Sequence, residues 1–462
     1  METKDTICAL ATSPGTAAIA VIRTSGSESL TIAEKIFRPA KKHFKITEAE
    51  SHTIHFGTIE TAEEVIDEVL VSVFRSPHSY TGEEAVEISC HGSPYIQQKI
   101  IETLINSGAR MARPGEFTLR AFLNGKFDLS QAEAVADLIA SNSKTSHDLA
   151  IDQMRGGFSK KIRDLRKELI GFASLIELEL DFSEEDVEFV DRKKLFALIH
   201  KLKTEITSLI QSFSVGNVLK NGIPVAIIGK PNVGKSTLLN TILQEERAIV
   251  SEIPGTTRDS IEDTIIIDGV AFRFIDTAGL RNTDDEVETI GIERTHEKIR
   301  QARIILFVFD IASCSLEQIR EVIDEHQHLI DDPTKRVILI GNKIDQLVEI
   351  PKGFKDLVEM ETVFVSAKRK ENINLISDSL LKSVNKDMLT DNTIVSNARH
   401  YEALSNSLNT ITLVEDALKQ NIPTDLIASD IRQALYHLGT ITGEISNEDI
   451  LDNIFRNFCI GK

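Results

Sequence analysis

Gly229-Lys-Pro-Asn-Val-Gly-Lys-Ser-Thr237 fills the pattern G-x-x-x-x-G-K-[ST] and follows the apolar run Ile223-Pro-Val-Ala-Ile-Ile228. A strand, a glycine-bearing loop and a helix start in that order make a phosphate cradle, because the first amides of a helix have no partners of their own. In such a cradle Lys235 neutralises β and γ oxygens and Ser236 ligates Mg²⁺. The amides of Asn232, Val233, Gly234, Lys235, Ser236 and Thr237 surround the phosphates. The loop lies deep in the chain, with 222 residues before its strand, so the phosphate module is an insert in a larger protein.

Three later segments narrow the nucleotide. Asp276-Thr277-Ala278-Gly279 ends an apolar strand, where a carboxylate can hold the magnesium shell and a glycine amide can face the γ-phosphate. Asn342-Lys343-Ile344-Asp345 ends another, and an ionised Asp345 accepts from the N1 proton and exocyclic amine of guanine, which adenine does not offer. Two such charge-assisted bonds, worth about 1.5 to 3 kcal/mol each, separate GTP from ATP. Ser366-Ala367-Lys368 at the next strand end completes the set. Between the first two elements, Pro254-Gly-Thr-Thr-Arg-Asp259 reads as a switch, with Thr257 a Mg²⁺ ligand ordered by the γ-phosphate, and Ser251, Glu252, Ile253, Pro254, Gly255, Thr256 and Thr257 are counted with the GTP-binding residues. The four elements in this order predict a GTPase.

One position departs from many small GTPases. Leu280 follows Gly279 where a glutamine often orients the attacking water, so water must be oriented differently here. The acidic run Asp284-Asp-Glu-Val-Glu288 offers a carboxylate, and it reads equally as a solvated loop. No arginine finger can be assigned.

At 462 residues the chain calls for about three domains. Hydrophobic residues make up 41% and charged residues 27%, in the soluble globular range, and the longest apolar runs, such as Ile304-Ile-Leu-Phe-Val-Phe309, are strand-sized. A membrane span is not expected. The first residues lack a basic segment followed by an apolar one, so a cytoplasmic protein is expected. Four scattered cysteines, Cys8, Cys90, Cys314 and Cys459, exclude a disulfide framework and a C-x-x-C zinc site. A net charge of −19 means that nucleic acid must be met by a local basic patch. Lys160, Lys161, Arg163, Arg166 and Lys167 form one candidate, but Asp164 and Glu168 in the same run favour a solvated helix face.

Period-two runs at Ala17–Ile22, Val69–Phe74 and Ala85–Ser89, mixed with a helical stretch at Tyr95–Ile105, predict an α+β domain over residues 1–118. Residues 119–221 read as helical, through Leu129–Ser141, Phe158–Leu180 and Lys193–Phe213. Residues 222–385 alternate strands and helices, with an edge hairpin turning at Asp268-Gly269, which predicts a doubly wound sheet. Residues 386–462 are helical again, at Tyr401–Gln420 and Thr424–Leu438. The expected architecture is therefore multidomain α/β plus α: an α+β N-terminal domain and a discontinuous helical domain into which a P-loop GTPase domain is inserted.

The P-loop, the switch Pro254-Gly-Thr-Thr-Arg-Asp259, Asp276-Thr-Ala-Gly-Leu-Arg281 and the terminal Cys459-Ile-Gly-Lys462 resemble the MnmE (TrmE) family of bacterial tRNA modification GTPases. Thr81-Gly-Glu-Glu-Ala-Val-Glu-Ile-Ser-Cys-His-Gly92 and Ala112–Leu129 extend the resemblance to essentially the whole chain. The resemblance implies a homodimer that, with an FAD-containing MnmG-like partner in a heterotetramer of two dimers, adds a carboxymethylaminomethyl-type group to C5 of the wobble uridine of certain tRNAs. It implies a one-carbon donor, 5-formyl- or 5,10-methylene-tetrahydrofolate, at Arg23, Glu87, Lys126 and Lys462, whose cations and carboxylate suit the folate glutamate and pterin groups. It implies K⁺-stimulated hydrolysis with Asn232, Ser251, Ile253 and Thr256 as potassium ligands, Glu288 orienting water, and Lys235 and Cys459 in the chemistry. Cys459 reads equally as a structural thiol. The alternative function is a GTP-dependent RNA-binding assembly factor whose N-terminal domain is a docking module.

Overall fold

The computed structural model describes residues 5–181, 192–245, 263–275, 299–315, 335–347, 361–384, 394–420, 424–446, 451, 454–456 and 458–461, with isolated positions between them. They group into two compact units. One comprises 1–136, 153–190 and 417–462, the other 137–152 and 191–416.

In the first unit seven strands form one sheet: β1 (Ile7–Leu10), β2 (Ile19–Ser25), β3 (Phe37–Pro39), β4 (Thr53–Glu60), β5 (Val65–Phe74), β6 (Ala85–His91) and β7 (Arg110–Met111). Their order is β3-β4-β5-β6-β2-β1-β7, antiparallel except for the β1–β7 pair. The alternation in β5 and β6 decides which face is buried. Val69, Val71, Val73, Val86 and Ile88 point to one side, where the helices Ser29–Ile36 and Pro94–Asn106 supply Leu30, Ile36, Ile100 and Leu104. Each fully buried aliphatic side chain contributes roughly 1.5–3 kcal/mol. Residues one step out of phase, including Arg23, Glu87, Leu70 and Phe56, face the opposite side, which is the expected α+β arrangement seen in detail.

The segment after this sheet is helical, as its 3.6-residue period requires. Helix Gly157–Asp181 turns Phe158, Ile162, Leu165, Leu169, Phe172 and Ile176 inward and packs on helix Thr424–Thr442 of the same unit. Arg166 pairs with Glu444, while Lys160, Arg163 and Lys167 are exposed beside Asp164. The basic run is thus a solvated face with one arginine drawn into packing. The boundary expected at residue 118 falls inside helix Glu116–Leu123, because Phe117 there is buried with Ile7 and Ala9 of β1.

In the second unit six strands, β8 (Ile223–Ile228), β9 (Asp263–Ile267), β10 (Val270–Phe274), β11 (Ile304–Asp310), β12 (Arg336–Asn342) and β13 (Thr362–Phe364), lie in the order β13-β12-β11-β8-β10-β9. All neighbours are parallel except the β9–β10 hairpin, whose turn residues Asp268 and Gly269 have φ of 48° and 80°. Positive φ at both positions is what a tight two-residue turn needs to match strand twist. Helices Lys235–Glu245 and Ile373–Lys382 cover one face through Leu238, Leu239, Ile242, Ile376 and Leu380. Ile299 and Ala302 lie on the other face against Ala226, Ile305 and Phe307. The strands are therefore apolar on both sides, the mark of a parallel sheet covered twice. Helices Arg192–Asn221 and Ala398–Lys419 also pair within this unit, through Lys203 with Glu415 and the rings of Phe213 and Tyr401, 4.6 Å apart. No helix among the described residues is long and apolar enough to cross a membrane.

Candidate nucleotide site

Parallel strands bring their C-terminal ends to one edge of the sheet, and in open α/β sheets ligands bind there. At that edge stand the loop after β8, Asp310 at the end of β11, the turn Asn342–Asp345 after β12 and Ser366–Lys368 after β13. The loop is held in its cradle by backbone that only small residues tolerate. Gly229 has φ of 147° and its missing Cβ leaves room for the Val308 carbonyl, while Gly234 has φ of 98° and sits where a Cβ would strike the Asn342 amide. Lys235 opens helix Lys235–Glu245, and its ammonium reaches the carbonyls of Gly229 and Lys230, both at 2.8 Å. That folds the side chain back over the loop, where incoming phosphate oxygens would meet it.

Asn342 is buried and uses both ends of its side-chain amide. Its Nδ2 donates to the Val233 carbonyl at 2.8 Å, and its Oδ1 accepts from the Ala367 amide at 3.0 Å. Thr241 adds a bond from its hydroxyl to the Ala367 carbonyl at 3.0 Å. Phosphate loop, first helix and the turns at Asn342–Asp345 and Ser366–Lys368 are thereby one hydrogen-bonded body. Asp345 is oriented by Ser366, whose hydroxyl donates to its Oδ1 at 2.6 Å, and this bond holds the carboxyl below the usual carboxylate range. Arg369 in turn donates its amide to Ser366 Oγ at 3.1 Å. Ile344 begins a short 3-10 turn after Lys343, and Lys368 is exposed. A cavity of about 230 Å³ runs between the loop residues Lys230–Val233 and the end of β11, and Asp345 and Ser366 are not among its walls.

Asn232, Val233, Gly234, Lys235, Ser236, Thr237, Asn342, Lys343, Ile344, Asp345, Ser366, Ala367 and Lys368 all gather at this edge. Ser251, Glu252, Ile253, Pro254, Gly255, Thr256, Thr257, Asp276, Thr277, Ala278, Gly279, Leu280 and Glu288 lie outside the described residues, as does Lys462. Asn232 has φ of 62° and an exposed side chain at the outer corner of the loop. Sequence reasoning passed over Asp310, which binds Lys343 at 2.7 Å. The available signal was an acid closing an apolar parallel strand at the ligand edge.

In the first unit Arg23 and Glu87 are opposite each other on β2 and β6, and Arg23 Nε donates to Glu87 Oε1 at 2.8 Å. The Arg23 guanidinium also lies 5.4 Å from the Tyr80 ring centroid and 5.8 Å from that of Phe117. Burial pushes the Tyr80 hydroxyl up, with its bond to Thr118 and the nearby Arg23 pulling the other way. Arg23, Tyr80 and Glu87, with Phe74, Thr81 and Ala85, bound a cavity of about 60 Å³. Ligand pockets typically measure roughly 300–1,000 Å³, so these residues make one wall and not an enclosed pocket. Lys126 donates to the Pro77 carbonyl at 2.9 Å, on the loop that carries Tyr80 and Thr81. Cys459 is an exposed free thiol, and its carbonyl accepts from the Gly115 amide at 3.3 Å.

A phosphate loop fused by Asn342 to a serine-oriented aspartate defines a P-loop GTPase, an enzyme that hydrolyses GTP. Residues 6–126 match the family described as GTP-binding protein TrmE N-terminus, and residues 129–459 match the MnmE helical domain. The tRNA modification GTPase MnmE of Flavobacterium psychrophilum is 54% identical over 460 residues, covering 99% of both chains. That of Christiangramia forsetii is 54% identical over 477 residues and covers 100% of both, and one from Bacteroides fragilis is 52% identical over 467 residues, covering 99% of this chain and 100% of its own. The chain belongs to the MnmE family of tRNA modification GTPases.

Proposed function

We propose that GTP hydrolysis by this chain drives addition of a carboxymethylaminomethyl-type group to C5 of the wobble uridine of certain tRNAs, together with an FAD-containing MnmG-like partner. What supports the reading is that the chain carries two distinct sets of polar groups: the nucleotide edge of the second unit and the Arg23–Glu87 wall of the first. A GTPase acting only as a timer has no use for the second. In this reading a tetrahydrofolate, 5-formyl or 5,10-methylene, supplies the one-carbon group when bound. The stacked cation of Arg23 would meet its carboxylates, Glu87 would accept from pterin donors, and Lys126 and Lys462 would complete the charge. In the structure Arg23 and Glu87 satisfy each other, so ligand binding exchanges one ion pair for two ligand contacts. Cys459 is accessible for the same chemistry.

A homodimer is part of the proposal. Ile54, Phe56 and Leu70 are exposed on the face of the first sheet opposite helices Ser29–Ile36 and Pro94–Asn106, with Phe56 and Leu70 directly paired across strands. The same face carries Arg23 and Glu87, and a second copy seated there would add walls to the small cavity. At the nucleotide site, Ser236 and Thr257 would hold Mg²⁺ with phosphate oxygens, and Asn232, Ser251, Ile253 and Thr256 would hold K⁺. A cation there supplies the positive charge that an arginine gives elsewhere, a role worth about 10³–10⁵ in rate. Glu288 would then orient the attacking water, where Leu280 offers no polar group.

Nucleoside mass spectrometry of tRNA from cells lacking this chain tests the product directly. The C5-substituted wobble uridines should vanish and return with the wild-type gene. Unchanged wobble uridines would rule the reading out in favour of an assembly factor.

A further inference from the structure

Lys343 lies between two anchors. Its ammonium is 2.7 Å from Asp310 Oδ2 and 2.8 Å from the carbonyl of Asn232 in the phosphate loop. Lys343 also has φ of 69°, a left-handed conformation that a lysine adopts only where its surroundings impose it, at a cost of order 1–3 kcal/mol. The lysine is therefore held by what it touches, and Asp310 is its only ion-pair partner among the described residues.

Asp310 is itself fixed. It closes β11, and its Oδ1 accepts from the Ala312 amide at 3.0 Å, leaving Oδ2 for Lys343. Burial pushes the Asp310 carboxyl up, but the bonds from Lys343 and the Ala312 amide outweigh it and hold the group below the usual range. With side chains 13% and 28% exposed, the pair is shielded from solvent more than a surface ion pair. One oxygen thus serves the local turn, and the other reaches across to a different strand end.

We propose that Asp310 is a positioning residue of the nucleotide site: by holding Lys343 against the Asn232 carbonyl, it locks the base-reading turn to the phosphate loop. It touches no nucleotide itself. Its effect passes through Lys343, which carries the turn Asn342–Asp345 at one end and meets the left-handed Asn232 at the other. Asp345 and the loop amides are then set for the same nucleotide before it arrives, which lowers the ordering cost of binding. The inference rests on the base-reading turn facing the nucleotide, as argued above.

The test uses full-length protein as wild type, Asp310→Asn, Lys343→Ala and the double variant, with dissociation constants for a fluorescent GDP analogue. Asp310→Asn keeps an oxygen for Ala312 and removes the charge facing Lys343. It should weaken GDP by about tenfold, the effect of one partly screened charge-assisted bond. KM for GTP should rise with kcat unchanged, and the nucleotide-free melting temperature should hold. Because both residues act through one contact, the double variant should bind no worse than Lys343→Ala. Wild-type GDP affinity in Asp310→Asn, or a loss that adds in full to that of Lys343→Ala, overturns the proposal. If Lys343→Ala weakens GDP and Asp310→Asn does not, only the role of Asp310 falls. If Lys343→Ala binds GDP normally, the placement of the turn at the nucleotide falls, and this proposal with it.

Discussion

Asn342 Nδ2 donates to the Val233 carbonyl at 2.8 Å, so a residue at the end of β12 also closes the phosphate loop 109 positions earlier in the chain. The same side chain accepts from Ala367, and it is 2% exposed. Asn342→Ala removes both bonds and leaves buried partners without them, at about 1–3 kcal/mol each. We expect a lower melting temperature of the nucleotide-free protein by several degrees and GDP affinity reduced by tenfold or more, about 1.4 kcal/mol, by thermal shift and nucleotide titration.

In the proposed site Asp345 selects guanine by accepting two protons, and the Ser366 hydroxyl, donating to its Oδ1, favours its ionised form and aims it. Its carboxyl lies below the ordinary range, so it stays charged as pH falls through 5 and protonates only in stronger acid. GDP affinity should therefore be flat between about pH 5.5 and 8, where an ordinary carboxylate is already ionised and this one more so. Asp345→Asn should lose GTP by about a hundredfold and gain xanthosine triphosphate, whose C2 carbonyl accepts where guanine donates. Competition titrations with the two nucleotides measure the exchange.

Arg120 is fully buried and bridges Asp5 at 2.8 Å, Glu83 at 3.2 Å and Glu116 at 3.0 Å, with Arg110 on the outer side of Asp5 and Glu116. Removing one partner from such a set strands buried charge, so Arg120→Ala should destabilise the first unit by about 3–5 kcal/mol. Arg110 and Arg120 hold Asp5 down to about 2, and Glu116 is lowered by Arg110, the Arg113 amide and Arg120 against its burial. Folded carboxyls lowered below their unfolded values add stability that is complete above the unfolded range near pH 4 and disappears as pH falls toward 2. Urea midpoints should accordingly be level at pH 6 and drop below pH 4 in wild type, with a shallower drop in Arg120→Ala.

Potassium dependence tests the switch half of the site. With an exposed Asn232 at the loop corner and no arginine finger assigned, GTP turnover should be at least tenfold faster in K⁺ than in Na⁺ at equal ionic strength. Asn232→Ala should abolish that difference. Glu288→Ala should lower kcat by about 10²–10³ with GDP affinity intact, as loss of a water-orienting group does. Steady-state hydrolysis in the two salts checks both, and equal rates in K⁺ and Na⁺ would remove the cation from the mechanism.

Much of this was legible in the chain because its signals are local. The hairpin turn needs two positive φ values, and Asp268-Gly269 supplies them within two residues. The strands of the second sheet announce themselves as short apolar runs, and β11 was read one residue short because its last member, Asp310, is charged. That acid looked like an ending, and it is a working part of the edge. In the first unit Arg23 and Glu87 were separable as ligands only through family resemblance, since nothing in the sequence says that positions 64 apart are cross-strand neighbours.

The sequence by itself determined the phosphate loop, the Asn342–Asp345 strand end and the alternation of strand with helix, because each rests on residue types within one or two turns of chain. Tertiary structure alone decided the partnerships: Asn342 with Val233 and Ala367, Lys343 with Asp310 and Asn232, Arg23 with Glu87 and Tyr80. Strand order and register bring the hydrogen-bonding atoms of these pairs within about 3 Å of one another, and hydrogen-bond strength falls steeply with distance and angle. Pattern fixes which groups exist; only the packed sheet fixes which of them meet.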